Sequence, residues 1–192
     1  MRLLALGVIK LGFPPEAVAI TGMVVGILAG LSFMATSESD HSGTFWALGL
    51  VFCILRIISI RMDLFLQHHS EGFVEEEYFQ ELPERVSDAV ALIGFGFASL
   101  SNPWLGLATA LAAIFSAYVR SFGMLRGAAK KKASSGPMTR IHRLVLLSVT
   151  SILMMFEIPA DRFDTPLPQI ALWIIFLGCI ATILIRLVKI RH

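Results

Sequence analysis

An all-α membrane bundle of six helices is the fold class this sequence predicts, and three observations carry the prediction. The mean hydropathy is +0.75, 56% of residues are hydrophobic and only 16% are charged, against about a quarter in soluble domains. The apolar residues gather into runs of roughly 20, the length a helix needs to cross the bilayer core. The charged residues collect at the ends of those runs. A chain of 192 residues has room for about six such spans and none for a separate soluble unit, so 1–192 is expected to form a single membrane domain.

The spans read as 15–35, 44–66, 86–101, 103–123, 142–158 and 168–188. Before the first, Gly12-Phe13-Pro14-Pro15-Glu16 turns the chain into a helix, with proline and an acid where a first turn favours them. Gly22, Gly26 and Gly30 then make two consecutive G-x-x-x-G spacings. Such a stripe lets helices pack closely, inside the bundle or across a dimer, or leaves space for a ligand or lipid chain. The third connection is only Ser101-Asn102-Pro103, whereas the fourth, from Arg120 to Arg143, is the most basic part of the chain. Met1 to Lys10 holds a short apolar run with no small-residue cleavage pattern, so no cleaved signal peptide is expected. Cys53 and Cys179 fall inside apolar runs without ligand-like spacing, which argues against a disulfide or a zinc site.

Charge asymmetry predicts orientation. The first loop, Ser37-Glu38-Ser39-Asp40-His41-Ser42, and the third contain no Lys or Arg, and the fifth contains only Arg162. The remaining cations lie at the alternate ends of the spans, so both termini and the connection from Asp63 to Asp88 are expected on the cytoplasmic side.

The stretch from Arg56 to Asp88 carries the chemistry. Arg56, Ser59, Ile60 and Asp63 follow the spacing of one helical face, and Glu84 and Asp88 stand one turn apart on the next helix. Ionised groups in or beside a membrane span are costly, so Asp63, Glu84 and Asp88 mark a functional site facing a bundle interior or a wet cavity. Arg120, Arg140 and Arg143 sit at helix ends, where a guanidinium is held in direction and suits bidentate phosphate binding. Lys130, Lys131 and Lys132 form a run that suits anionic membrane headgroups. His68 and His69 are adjacent and would point to different faces, which does not suit zinc. Glu75, Glu76 and Glu77 read as a solvated acidic turn. Glu77, Glu81, Glu84 and Asp88 would share one face if a single helix ran through them, but Pro83 argues against that continuity.

This arrangement resembles the CDP-alcohol phosphatidyltransferases, six-helix membrane enzymes whose signature is D-x-x-D-G-x-x-A-R followed by G-x-x-x-D-x-x-x-D across the second and third helices. The likeness covers most of the chain: the six spans, a motif in the right connection, the segment G-F-P-P-E-A-V-A-I-T-G ahead of the first helix, and a basic loop before the fifth. E-L-P-E-R-V-S-D and G-P-M-T-R-I-H-R are similar to a prokaryotic branch of the family. Within the signature Asp63 and Asp88 match, Glu84 replaces an Asp, and Ile60 stands where the first Asp belongs. Leu64 and Gln80 replace glycines, and Gln67-His68 replaces Ala-Arg. Ahead of it, Glu16 and Ala19 replace an Asn and a Thr that the family places near its nucleotide pocket.

What the resemblance implies is a metal-dependent enzyme that transfers a phosphatidyl group from CDP-diacylglycerol to a polar alcohol, releasing CMP. It implies Mg2+ or Mn2+ held by Asp63, Glu84 and Asp88, with Asp88 as the base that deprotonates the acceptor. It also implies phosphate contacts from Arg56, Arg120, Arg140 and Arg143, and a homodimer in the prokaryotic cytoplasmic membrane with no nucleic-acid partner. A relative that keeps the fold and binds lipid or nucleotide without turnover is the alternative, favoured by the missing Asp, glycines and Ala-Arg pair. A small transporter has neither the internal repeat nor the paired broken helices it would need.

Overall fold

The computed structural model describes residues 15–39, 41–69, 77–126, 136–156 and 166–191. These form six helices: α1 (Pro15–Ala35), α2 (Ser42–His69), α3 (Glu77–Gly96), α4 (Pro103–Leu125), α5 (Arg140–Met155) and α6 (Leu167–Arg191). Three are long and apolar enough to cross a membrane, over Ser42–Met62, Pro103–Leu125 and Leu167–Ile190. The apolar part of α1, Ala19–Ala35, is shorter. α3 is diluted by the charges it carries into the bundle, and α5 has only 16 residues. Val51, Leu111, Leu177 and Leu184 point outward from the bundle, an apolar exterior that suits lipid and not water.

Packing closes the helices into a ring in the order α1, α3, α4, α6, α5, α2, thinnest where α5 meets α6. The connections alternate the helix directions. One end of the ring therefore gathers the C-terminal halves of α2, α4 and α6 with the N-terminal halves of α3 and α5, which is where the predicted site residues lie. The opposite end is sealed by aromatic packing. Phe33, Trp46 and Phe95, one from each of α1, α2 and α3, place their ring centroids 5.0–5.6 Å apart in tilted or edge-on contacts, the geometry the ring quadrupoles favour. Thr36 Oγ1 accepts from Ser99 N at 2.9 Å and ties the ends of α1 and α3 together.

The glycine stripe of α1 is used inside the bundle. A Cβ on Gly22 would collide with the Arg56 guanidinium and Ser59 Oγ, one on Gly26 with Ser87, and one on Gly30 with the backbone of Val90. At Gly94 a Cβ would run into the backbone of Gly30, so α1 and α3 cross backbone to backbone. That face is closed to a second copy of the chain, and the expectation of a dimer draws no support from it.

α3 differs from its expected span. It begins at Glu77 and runs through Pro83 as one helix, where the sequence argues for a break. A proline at this position removes one donor near the helix start, whereas burial of Ser87, Asp88, Ala91, Leu92 and Phe95 holds the turns that follow. α3 also ends at Gly96, earlier than expected, and the chain turns before Asn102 caps α4 by accepting from Trp104 N and Leu105 N at 3.0 and 3.2 Å. Pro103 occupies the first helical position, where its missing N–H costs nothing.

The α1–α3 crossing has no slack. Gly94→Ala is expected to lower stability by about 1–3 kcal/mol, as overpacking does. Gly43→Ala, with nothing within 4 Å of the new Cβ, should leave it unchanged or slightly raised. Thermal unfolding of the two variants in detergent checks both.

Candidate active site

The site is built where α5 faces α3. Thr139 caps α5 in a capping box with His142, and the segment before it is docked on α6. Met138 N donates to Thr182 Oγ1 at 3.0 Å, and Gly136, at φ 143°, lies so close to Thr182 that a side chain there would collide with it. Only glycine adopts that backbone readily. This fixes the start of α5 and with it Arg140 and Arg143. Both lie in the first turn, which carries no acid although the positive end of the helix dipole favours one.

The acids come from across the ring. Arg143 Nη2 donates to Asp88 Oδ2 at 2.8 Å, Arg140 Nε lies 3.2 Å from the same oxygen, and Arg140 Nη1 pairs with Glu84 Oε2. α3 and α5 are not packed side by side; their long side chains make the connection. Asp88 and Arg143 are about nine-tenths buried, so little water screens the pairs and the Coulomb attraction is correspondingly strong. Within this network of ion pairs the hydrogen bonding is incomplete. Asp88 Oδ1 and Arg143 Nε are buried and make no hydrogen bond.

Further cations line the same end. Arg56 on α2 is 2% exposed, with its guanidinium against α1 at Gly22. Arg186 on α6 is buried and donates from Nη1 to Ser116 O at 2.6 Å and to Ser116 Oγ at 3.0 Å. Arg120 and Arg143 act on Arg186 as like charges. Arg85 Nη2 donates to Ser121 Oγ at 2.6 Å, joining α3 to α4. The described side chains at this end therefore hold two carboxylates, Glu84 and Asp88, among a majority of guanidiniums.

Of the residues predicted from sequence, the structure brings together Glu84, Asp88, Arg140 and Arg143, and sets Arg120 and Arg56 at the same end. Asp63 lies on α2, and its side chain is outside the described residues, as are those of His68 and His69. Lys130, Lys131 and Lys132 also lie outside them. Among the described residues no three His, Cys, Asp or Glu side chains converge on one point. The unsatisfied Asp88 Oδ1 is nevertheless the kind of buried oxygen a hard cation takes, and Glu84 is one turn away. Ile60, where the family's first Asp belongs, is buried as an apolar side chain. Sequence reasoning missed Arg186, Ser116 and Thr182 as site residues. The available signal was an arginine inside the last apolar run, before the chain reaches Lys189.

Six helices in a ring of this order have the fold of the CDP-alcohol phosphatidyltransferases. The solved structures that share it include Mycobacterium tuberculosis phosphatidylinositol phosphate synthase (PgsA1). In complex with manganese and citrate, that protein matches at a TM-score of 0.74 and 15% identity, over 98% of this chain and 88% of the other. With CDP-DAG bound it matches at 0.73 and 15%, over 97% and 91%, and in apo form at 0.66 and 16%, over 98% and 95%. At such identity the likeness is one of fold. The sequence matches no protein-family model and no curated protein sequence.

The ion pairs give a direct expectation. Arg143→Met should cost about 1.5–3 kcal/mol, the range for a hydrogen bond to a charged group, because Asp88 keeps only Arg140. Combining it with Asp88→Asn should recover part of the loss, since no uncompensated carboxylate then stays buried. A double-mutant cycle on unfolding in detergent measures the coupling.

Proposed function

We propose that this protein is a divalent-metal-dependent transferase that moves a phosphatidyl group from CDP-diacylglycerol to the hydroxyl of a polar acceptor alcohol. The observation that carries the reading is the placement of Glu84 and Asp88, one turn apart, the first partly and the second fully buried, against Arg140 and Arg143. Buried carboxylates in a membrane bundle are costly to keep without a task. The fold shared with a protein solved with manganese and with CDP-DAG supports both the donor and the metal.

In this reading Asp63, Glu84 and Asp88 are the ligands of Mg2+ or Mn2+. When bound, the cation supplies positive charge that offsets the negative charge of the donor diphosphate. Arg140 and Arg143 bind and orient phosphate, as do Arg120 and Arg56, and Arg186, buried at the same end, joins them in this reading. The acceptor oxygen attacks the phosphorus that carries diacylglycerol, the bond from that phosphorus to the bridging oxygen breaks, and CMP leaves. Asp88 takes the acceptor's proton. The site faces the cytoplasmic side of a prokaryotic membrane, in keeping with the basic residues gathered at this end.

A second reading, a relative that binds lipid or nucleotide without turnover, is favoured by one observation. Ile60 places buried hydrocarbon where the signature's first Asp would ligate metal.

CMP release from radiolabelled CDP-diacylglycerol over a panel of acceptor alcohols separates the two. The transferase reading expects release with at least one acceptor, abolished by chelation and lowered about 100- to 10,000-fold in Asp88→Asn, the range for loss of a general base. Binding of the donor with no CMP released from any acceptor establishes the second reading.

A further inference from the structure

The residues assigned to the cation and those assigned to phosphate are bonded to each other. Arg140 holds Glu84 and Asp88 together, and Arg143 holds Asp88. Two positive and two negative groups thus cancel, which leaves little field to attract a cation. The pairing is also incomplete on both sides, because Asp88 Oδ1 keeps an unused lone pair and Arg143 Nε an unused N–H, both buried. A half-satisfied buried network is costly. Its leftovers are of complementary kinds: an acceptor suited to a cation and a donor suited to an oxyanion.

Two features make the pairing displaceable. α3 and α5 have little backbone contact here, so the link between their charged groups consists of long side chains and can change without moving a helix. Arg140 and Arg143 also sit in the first turn of α5, where the helix dipole opposes cations and favours an anion. An oxyanion bound there would satisfy the guanidiniums as the carboxylates now do. Arg186, beside Arg143 and anchored on Ser116, adds attraction from the side away from the acids.

We infer that Arg140 and Arg143 form an exchangeable latch: without ligand they neutralise Glu84 and Asp88, and an oxyanion that engages them frees the acids and so raises the affinity for a divalent cation. The inference rests on the metal-dependent reading above. It adds that cation and anion bind with positive coupling, each strengthening the other by the same factor, as linkage requires.

The test uses the full chain in detergent, Mn2+ as the cation and sulfate as the oxyanion, with chloride at equal ionic strength as the reference. The electron paramagnetic resonance signal of free Mn2+ reports binding without any turnover. Wild type should bind Mn2+ about 5- to 150-fold more tightly in sulfate, the usual span of such coupling. Arg140→Gln should bind Mn2+ more tightly than wild type in chloride and lose most of the gain from sulfate. Arg140→Lys, which keeps the charge but not the grip on two carboxylates, should show the same change in smaller measure and serves if the glutamine variant does not fold. Arg186→Gln, which leaves both arginine–carboxylate pairs of α5 in place, should leave Mn2+ affinity in chloride near that of wild type. Equal wild-type affinity in the two anions overturns the latch and leaves the transferase reading standing. Equal gains from Arg140→Gln and Arg186→Gln also overturn it, because the arginines then act only through their general field. Absence of Mn2+ binding in every protein and anion overturns the latch and the metal-dependent reading together.

Discussion

The contact between α5 and α3 is electrostatic, and the charged end of the bundle is arranged around it. Two guanidiniums from one helix meet two carboxylates from another across a gap their backbones do not close. Taking such groups out of water costs several kcal/mol per ion, and pairing alone rarely recovers more than that. The pairs are therefore a poor source of stability and a strong constraint on arrangement. Either partner alone would leave a buried charge, so the start of α5 must face the middle of α3.

That constraint explains why the surrounding packing is tight in particular places. Gly30 and Gly94 let α1 and α3 cross in backbone contact, and Gly26 admits Ser87 on the turn that carries Asp88. On the other side, Thr182 accepts from Met138 and lies against Gly136, which fixes where α5 begins. The acids are thus positioned through α1 and the arginines through α6. The long side chains between them are the adjustable part, set between two rigid supports. The aromatic cluster of Phe33, Trp46 and Phe95 packs the far end of the described bundle, away from the ion pairs.

Much of the fold was legible in the sequence. Six apolar runs gave six helices, and Glu84 and Asp88 stood out because acids inside such runs are expensive. Boundaries shifted where local chemistry competed with burial. Pro83 argues for a break, yet α3 runs through it, because a single lost donor near a helix start weighs less than the buried face that follows. The opposite failure concerns Arg186. In the sequence it reads as one of the charges that set topology, since an arginine near a span's end usually serves there, but in the structure it turns inward to Ser116.

Composition and spacing by themselves determined the helical membrane class and the number of helices, and singled out the carboxylates and guanidiniums proposed for the site. Period and charge cost are local properties, readable one segment at a time. Tertiary structure alone decided that the glycine stripe of α1 serves packing inside the ring and that Arg140 and Arg143 reach Glu84 and Asp88. These are pairings between helices distant in the chain, and helical periodicity says which face a residue occupies but not which neighbour that face will meet.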